Sequence, residues 1–194
     1  MTKYILVGGY PRKAPDGGKA FAEELVKGFN EPIKVVECLF ARPRNNWEKA
    51  YEEDKEFFMK HLSGKQVEFQ MAVPEKFLDQ VKWAHAIYVR GGTSEAQLIA
   101  FANQSGDWRK ELDGKTLAGS SAGADVIAKY YYGLDDLKLG EGLGLVAVKV
   151  IPHWRSDYNA PNVDWDKALA ELKSYKEALP ILTLREGESR VITK

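Results

Sequence analysis

The sequence predicts a three-layer α/β/α sandwich built on a mostly parallel central sheet. Short apolar runs alternate with amphipathic stretches along all 194 residues, and no internal repeat, low-complexity tract or Pro/Ser-rich linker interrupts them. Strands that alternate with helices favour parallel βαβ units, with helices covering both faces of the sheet. We therefore expect one domain over residues 1–194, long enough to bury about 70% of its unfolded surface around a single core.

Each predicted element follows from its own pattern. Apolar runs rich in Val, Ile, Tyr and Phe predict strands, and apolar residues at helical spacing, such as Phe21, Leu25 and Val26, predict helices. The predicted strands are 4–7, 33–40, 66–73, 86–89, 116–118, 144–151, 181–184 and 190–192. The predicted helices are 20–29, 47–62, 75–83, 94–102 with Ser94 as N-cap, 123–132 and 164–179.

The charge balance excludes several classes of partner. Lys plus Arg equals Asp plus Glu at 28 each, so the composition gives no sign of a basic surface for nucleic acid or for anionic membranes. No apolar run approaches the roughly 20 residues of a membrane span, and the first residues lack the layout of a signal peptide. We therefore expect a cytoplasmic protein that binds neither nucleic acid nor membrane.

Three glycine-bearing turns predict where a ligand binds. Open α/β sheets bind ligands beyond the carboxyl ends of their strands. Gly8-Gly9, Gly91-Gly92 and residues 119–123 each follow a predicted strand. The sequence therefore predicts one crevice, formed where these turns meet.

The turn after strand 116–118 carries the candidate nucleophile. Residues 119–123 are Gly-Ser-Ser-Ala-Gly and fit G-x-S-x-G between a strand and a helix, the context in which this pattern marks a nucleophile elbow. Its glycines permit a sharp turn that exposes the Ser121 hydroxyl. A small-residue turn that only permits close helix–strand packing is the alternative. Cys38, the single cysteine, excludes an internal disulfide and lies in an apolar run, which favours a buried structural thiol over a catalytic one.

A serine hydroxyl needs a nearby base, and the sequence offers three histidines. His61 lies on the apolar stripe of helix 47–62, and His85 precedes strand 86–89 at its amino end. His153 follows strand 144–151 at its carboxyl end, which places it in the crevice with Ser121. We therefore predict that His153 is the base, and an ordinary loop histidine is the alternative.

Backbone amides beside the turn are candidates for an oxyanion hole. Two preorganised donors at a developing oxyanion stabilise the transition state of acyl transfer. Gly92 is the first choice, with Gly91 as a close alternative, and the Ala122 N–H is left free at the start of a helix.

A third residue, an acid that orients the imidazole, is harder to choose. Asp135, Asp136 and Glu141 all lie between the serine and the histidine in the sequence. Each is also compatible with a solvated loop, so the residues alone leave the choice open.

Three ordered motifs together resemble a known family. They are Gly91-Gly92-Thr93, the six residues from Gly119 to Ala124, and Gly142-Leu143-Gly144-Leu145 leading to Pro152-His153. From residue 4 to residue 192 the chain resembles the peptidase E (α-aspartyl dipeptidase) and cyanophycinase family. These are serine peptidases with the class I glutamine amidotransferase-like, flavodoxin-like fold.

The resemblance implies a role for each candidate residue. It implies Ser121 as nucleophile, His153 as base, and Gly92 and Ala122 as oxyanion donors. The spacing of the dipeptidase branch favours Asp136 as the acid, whereas that of the cyanophycinase branch favours Glu141.

Three positions depart from the pattern of the family. Thr93 stands where Asn or Asp is expected, Asp125 where the dipeptidase branch usually has Asn, and Arg90 where a small residue is more usual. Thr93 and Arg155 are the candidate substrate-binding residues, because Arg155 closely follows His153 and a guanidinium can clamp a carboxylate. A surface arginine is the alternative for Arg155.

The expected activity is that of a serine peptidase, most simply a dipeptidase, acting on small peptides. Aspartyl peptides are the typical substrates of the family. Ser121 forms an acyl-enzyme and His153 moves the proton, so no metal or organic cofactor is required. The alternatives are a small serine esterase and a catalytically silent binding or regulatory protein on the same scaffold. An amidotransferase is disfavoured, because this chain has Ser at the elbow position where amidotransferase chemistry uses Cys. The chain is expected to be a monomer or a homodimer.

Overall fold

The chain folds around a six-stranded central sheet and a smaller second sheet. A computed structural model describes residues 1–104, 106–156 and 163–194. The strands are β1 (Lys3–Val7), β2 (Ile33–Cys38), β3 (Val67–Met71), β4 (Ala86–Val89), β5 (Thr116–Ser120), β6 (Tyr130–Gly133), β7 (Lys138–Glu141), β8 (Lys149–Ile151), β9 (Ile181–Thr183) and β10 (Ser189–Thr193).

The central sheet has the strand order β10-β1-β5-β4-β2-β3. Its strands run parallel, except that β10 pairs antiparallel with β1 at one edge. Val7 pairs with Ser120 and Val89 pairs with Gly119, so β1, β4 and β5 end at the same edge. The predicted mostly parallel central sheet is confirmed.

Helices cover both faces of this sheet. They are α1 (Lys19–Val26), α2 (Trp47–His61), α3 (Phe77–Trp83), α4 (Ser94–Ala102), α5 (Ala122–Ile127) and α6 (Trp165–Ser174). Because strand side chains alternate between faces, Ile5 and Val7 pack in one core with α1 and α2, whereas Leu6 packs in the other with α3 and α5. In the described part of the chain no helix combines the length and the apolar character that crossing a bilayer demands.

The second sheet has the order β7-β6-β8-β9 and shares a core with α6. It corrects the predicted helix 123–132, because α5 ends at Ile127 and a strand, β6, follows. Three consecutive tyrosines in this segment favour a strand. Two of them, Tyr130 and Tyr132, are buried in the core of the second sheet.

The predicted strand 144–151 is also corrected, since β8 is confined to its last three residues. The preceding loop instead closes the end of α5. Its backbone hydrogen bonds run from the N–H groups of Leu143, Gly144 and Leu145 to the carbonyls of Val126, Ala128 and Ile127. These bonds satisfy carbonyl groups that the end of a helix leaves without intrahelical partners.

Lys149 in β8 ties the second sheet to α6. Its side chain is fully buried, and Nζ donates to the carbonyl oxygens of Leu172 at 2.8 Å, Lys173 at 3.2 Å and Tyr175 at 2.5 Å. A cation at the C-terminal end of a helix meets the negative end of the helix dipole. The buried ammonium therefore has an acceptor for each of its three donors.

We predict that Lys149→Met lowers the free energy of unfolding by about 2–4 kcal/mol, because it leaves buried carbonyl oxygens without donors. Lys173→Met is the matched control, since Lys173 is an exposed lysine of the same helix. For that control we expect a change within about 0.5 kcal/mol. Urea denaturation of both variants measures the difference, and equal stabilities would contradict the role assigned to Lys149.

Candidate active site

The candidate active site lies where strands of both sheets end. Ser121 follows β5 of the central sheet, whereas His153 and Glu186 follow β8 and β9 of the second sheet. Gly9 after β1 and Gly91 after β4 lie against the histidine and the serine. The crevice therefore has the location expected from the strand ends, and the second sheet supplies part of it.

Ser121 occupies a strained turn between β5 and α5. Its backbone angles are φ 54° and ψ −118°, and such conformations cost on the order of 1–3 kcal/mol when the residue carries a side chain. Hydrogen bonds hold the turn in place. The Ser121 N–H donates to the Val7 carbonyl at 3.0 Å, and the Ser121 carbonyl accepts the N–H groups of Ala124 and Asp125.

Close backbone packing around this turn requires glycine. A Cβ at Gly119 would lie 2.3 Å from the carbonyl oxygen of Gly123, and a Cβ at Gly123 would lie 2.2 Å from that of Val89. Side chains at these positions would push α5 away from the sheet and displace the serine.

The His153 imidazole lies beside the Ser121 hydroxyl, with 2.9 Å between Nε2 and Oγ. His153 is only 3% exposed. Burial lowers the pKa of the imidazole, although the carboxylate of Glu186 acts in the opposite direction. The ring is therefore neutral at pH 7 and able to accept a proton. Gly9 leaves room for it, because a Cβ at Gly9 would lie 2.2 Å from Cε1 of the ring.

Glu186 completes a hydrogen-bonded line with these two residues. Its Oε1 lies 3.1 Å from Nδ1 of His153 and accepts the Ser156 hydroxyl at 2.8 Å, and Lys13 forms an ion pair with Oε2. Partial burial opposes ionisation of Glu186, but the hydrogen bonds from its three partners outweigh it and lower the pKa of the carboxyl. An ionised Glu186 accepts the Nδ1–H and so selects the tautomer in which Nε2 accepts from the serine.

The structure corrects the predicted acid, because Glu186 and not Asp136 lies at Nδ1 of His153. Asp136 lies in the turn between β6 and β7, where its Oδ1 accepts a backbone N–H at 3.2 Å. Asp135 is its exposed neighbour. Glu141 is paired with a lysine at the surface.

A search confined to the residues between Ser121 and His153 overlooks a signal in the C-terminal segment. Residues 181–184 are a predicted strand, and Arg185-Glu186-Gly187 follows it directly. The rule that placed His153 in the crevice, the carboxyl end of a strand, also selects Glu186. The acid could therefore have been found from the sequence by the same reasoning.

Three backbone amides near Ser121 are candidates for the oxyanion hole. Gly91 touches the nucleophile, since a Cβ there would lie 2.8 Å from Cβ of Ser121. Gly92 follows it, and Ala122 begins α5. Among the described residues, the N–H groups of Gly91, Gly92 and Ala122 enter no hydrogen bond. They are thus available to a negatively charged oxygen at the nucleophile.

Two pockets border the serine and the histidine, and their charges are opposite. The first, the arginine pocket, has a volume of about 100 Å³. The second, the acidic pocket, has a volume of about 120 Å³. The carboxylates and guanidiniums that line the arginine pocket are Arg12, Arg42, Asp54 and Arg90. The acidic residues that line the acidic pocket are Glu95, Asp125, Asp135 and Asp136.

Asp54 organises two of the arginines in the arginine pocket. Its carboxylate oxygens lie 3.1 Å from Nη2 of Arg12 and 3.1 Å from Nε of Arg90. The neighbouring Glu37 is 1% exposed, and burial together with the charge of Asp54 raises the pKa of Glu37 well above its usual range. Burial raises the pKa of Asp54 as well, but Arg90 and Arg12 oppose that shift. Glu37 therefore keeps its proton, and Asp54, which lies against two guanidiniums, is the carboxyl group placed to carry the negative charge.

Arg42 is held beside the nucleophile by its backbone contact. Its Nε donates to the carbonyl oxygen of Gly91 at 3.0 Å. Within the described ranges, its terminal nitrogens take part in no hydrogen bond or ion pair. They are therefore free to bind an anion in the arginine pocket.

The structure corrects the prediction for Arg155. Its Nη2 lies 3.1 Å from Oδ1 of Asp166, and its guanidinium lies over the ring of Trp154. Arg155 does not belong to the described lining of either pocket. The pocket that contains Ser121 and His153 is instead lined by Arg42, a residue that the sequence does not single out.

The predicted helix cap is also different. Thr93 lines the acidic pocket and is the N-cap residue of α4. Ser94, predicted to be the N-cap, instead donates its hydroxyl to Oδ2 of Asp125 at 2.7 Å. The contact joins α4 to α5 at the wall of the acidic pocket.

The remaining histidines and the cysteine make structural contacts. Nδ1 of His85 accepts the Lys34 N–H at 3.1 Å, and His61 packs edge-on against Phe57. Cys38 is fully buried, which raises the pKa of its thiol. None of the three lines either pocket.

A serine hydroxyl, a neutral imidazole and a carboxylate in one hydrogen-bonded line are the arrangement of a serine hydrolase. The model of peptidase family S51 matches residues 41–194. The chain belongs to peptidase family S51 and is a serine-type peptidase. The matched segment contains Ser121, His153 and Glu186, whereas Arg12 and Lys13 precede it.

Two solved structures share the fold of this chain. A peptidase from an acI-B1 Actinobacterium superposes with a TM-score of 0.69 at 20% identity, covering 99% of this chain and 83% of that chain. A putative peptidase E protein from Listeria monocytogenes EGD-e superposes with a TM-score of 0.71 at 17% identity, covering 100% of this chain and 98% of that chain. A search of curated proteins returned no match. The family assignment therefore rests on the family model, and the two structures support the fold.

We predict that Glu186→Gln slows fluorophosphonate labelling of Ser121 by about 10³-fold or more, because the amide no longer selects the reactive tautomer. The matched control is Glu141→Gln, the same chemical change at a surface ion pair, for which we expect wild-type labelling. In the wild type the rate should fall at low pH with a midpoint below the ordinary histidine pKa of about 6.5. Removing the carboxylate takes away a stabiliser of the imidazolium, so the midpoint in Glu186→Gln should move to still lower pH. Equal labelling of the two variants would contradict the assignment of Glu186.

Proposed function

We propose that this serine peptidase hydrolyses short peptides, dipeptides in particular, on the carboxyl side of an amino-terminal aspartate. The observation that carries the proposal is the position of Arg42, which lines a pocket shared with Ser121 and His153. A carboxylate bound by Arg42 belongs to the residue whose carbonyl group Ser121 attacks. The pocket is small, which suits the short side chain of aspartate.

The proposed reaction proceeds through an acyl-enzyme. Oγ of Ser121 attacks the scissile carbonyl carbon while Nε2 of His153 takes the hydroxyl proton. The tetrahedral intermediate collapses as the imidazolium gives that proton to the leaving amine, and the ester on Ser121 is left. A water molecule then attacks the ester with His153 again as base, and the acid is released. Glu186 stabilises the imidazolium that forms in both steps.

Backbone amides are proposed to stabilise the two tetrahedral intermediates. The N–H groups of Gly92 and Ala122 are the donors, with that of Gly91 as the alternative to Gly92. Support comes from their position around Ser121 and from the absence of any hydrogen bond to them among the described residues. Donors that are already fixed need no reorganisation when the negative charge develops, and losing one typically costs about 10²–10³ in kcat.

The charge of the arginine pocket supports the preference for an acidic residue. Three guanidiniums and one carboxylate leave an excess of positive charge in its lining. Asparagine has nearly the shape of aspartate but no charge, and its NH2 group offers the guanidinium of Arg42 a donor in place of the second carboxylate oxygen. A polar group left unpaired in a binding site is the strongest basis for rejecting a close analogue.

A hydrolysis screen of Asp-Leu, Glu-Leu, Asn-Leu and Ala-Leu tests the proposal. We expect kcat/KM for Asp-Leu to exceed that for Asn-Leu by at least about tenfold, because one charged contact separates them. Ser121→Ala and His153→Ala should each lose about 10³-fold or more, because the two groups act as a unit. Cleavage of a different dipeptide, lost in both variants, would keep the mechanism and refute the specificity. No cleavage by protein that still reacts with a fluorophosphonate would refute the dipeptide substrate.

The role of Arg42 gives a second expectation. Arg42→Gln should reduce kcat/KM for Asp-Leu by at least about tenfold and reduce that for Asn-Leu much less, since only the first substrate loses an ion pair between its carboxylate and the guanidinium. Arg155→Gln is the matched control, because it removes the same charge from a surface ion pair, and it should behave as the wild type. An equal loss for both substrates in Arg42→Gln would point to a structural role for this side chain.

A further inference from the structure

The acidic pocket has no part in the proposed recognition of aspartate. It borders Ser121 and His153 on the side of α4 and α5, and Thr93 and Ala122 belong to its lining. Four carboxyl groups line it, and its described lining contains neither lysine nor arginine. Three of the four carboxyl groups, those of Glu95, Asp135 and Asp136, belong to exposed residues.

Asp125 is the exception, because it is buried and only half satisfied. The residue is 4% exposed. Oδ2 accepts the Ser94 hydroxyl at 2.7 Å, which fixes the orientation of the carboxyl group. Oδ1 is buried and has no hydrogen-bond partner among the described residues. Native proteins leave few buried polar atoms unpaired, so an unpaired oxygen on a residue that lines a pocket is a candidate acceptor for a bound group.

The chemistry of the wall defines the ligand. Burial, together with the charges of Asp135 and Asp136, raises the pKa of Asp125 well above its usual range. A ligand that donates hydrogen bonds and carries positive charge satisfies Oδ1 and compensates the surrounding carboxylates. A primary ammonium group has three N–H donors and a compact charge, and it fits both requirements.

We propose that the acidic pocket is a subsite for an ammonium group of the substrate, with Oδ1 of Asp125 as its acceptor. This inference rests on the proposed function, because the ammonium belongs to the peptide that reacts with Ser121, and it adds a second, oppositely charged contact. Asp135, Asp136 and Glu95 attract the cation at the exposed side of the pocket. The substrate then makes two ionic contacts, one between its carboxylate and Arg42 and the other between its ammonium group and Asp125.

The ammonium has two possible sources within a peptide. One is the α-amino group of the first residue, which would make the protein a peptidase of free amino termini. The other is the side chain of a lysine in the second position. Both sources share the same chemistry at Asp125, and matched peptides separate them.

Binding to the Ser121→Ala protein tests the subsite without depending on turnover. Isothermal titration calorimetry compares Asp-Leu with acetyl-Asp-Leu, and Asp-Lys with Asp-norleucine. In at least one pair we expect the peptide with the additional ammonium to bind at least about tenfold more tightly. The other peptide of that pair leaves the buried carboxyl group of Asp125 without a partner, which lowers its affinity. A difference in the first pair assigns the α-amino group, and a difference in the second pair assigns the lysyl side chain.

The variant Asp125→Asn, made in the same Ser121→Ala protein, should abolish the difference. Its amide oxygen can still accept the Ser94 hydroxyl, so the contact between α4 and α5 is retained. Asp79→Asn, the same change at an exposed residue of α3, is the control for net charge and should keep the difference. If Asp125→Asn fails to fold, the comparison of the two peptide pairs on Ser121→Ala alone decides the matter.

Two results would overturn the subsite. The first is that neither peptide pair differs by more than about twofold, or that none of the four peptides binds. The second is that the difference survives in Asp125→Asn. Fluorophosphonate labelling of wild-type Ser121 reports separately on the catalytic line, so a failed subsite and a failed catalytic proposal give different outcomes.

Discussion

The site depends on one close contact, that between the first turn of α5 and the end of β4. Gly123 has no side chain, and a Cβ at this position would clash with the Val89 carbonyl. The N-terminus of α5 can therefore lie directly on the strand. The chain can reach that position only if Ser121 adopts its unusual backbone conformation. The exposed hydroxyl, the amide of Ala122 and the position of Gly91 beside the nucleophile all follow from this single packing constraint.

The buried carboxyl groups around the site show how the surroundings decide the role of each residue. Glu186 is ionised because Lys13, Ser156 and His153 donate to it. Glu37 keeps its proton because it is buried beside the carboxylate of Asp54. Burial and the charges of Asp135 and Asp136 raise the pKa of Asp125, and the ammonium group proposed to bind there would favour its ionised form. The surroundings thus set a different protonation preference for each of three similar side chains.

The sequence predicts those features that depend on local pattern. The alternation of apolar runs identifies the strands of the central sheet, and the small residues of 119–123 identify the elbow. The position of His153 after a strand then places it in the crevice with Ser121, and the two side chains lie 2.9 Å apart. The second sheet could not be predicted in the same way, because the Tyr130–Gly133 strand fits the apolar pattern of a helix as well as that of a strand.

Other features of the site depend on contacts between distant segments. Arg42 lies in a loop between β2 and α2, and its role arises from a hydrogen bond to Gly91 that no local pattern encodes. Arg155 is adjacent to the base in sequence, yet its side chain turns to Asp166. Proximity in sequence to a catalytic residue was therefore a poor guide to side-chain position. The carboxyl ends of strands were a better guide, and they include Glu186.

The division of the hydrogen-bonded line between two sheets has a consequence for folding. Ser121 belongs to the central sheet, and its two partners belong to loops of the second sheet. A partly folded chain in which the second sheet has not packed against the central sheet carries a serine without a base, and such a serine is a poor nucleophile. The line of Ser121, His153 and Glu186 is therefore complete only when both sheets have packed together, so the completeness of this line reports on the completeness of folding.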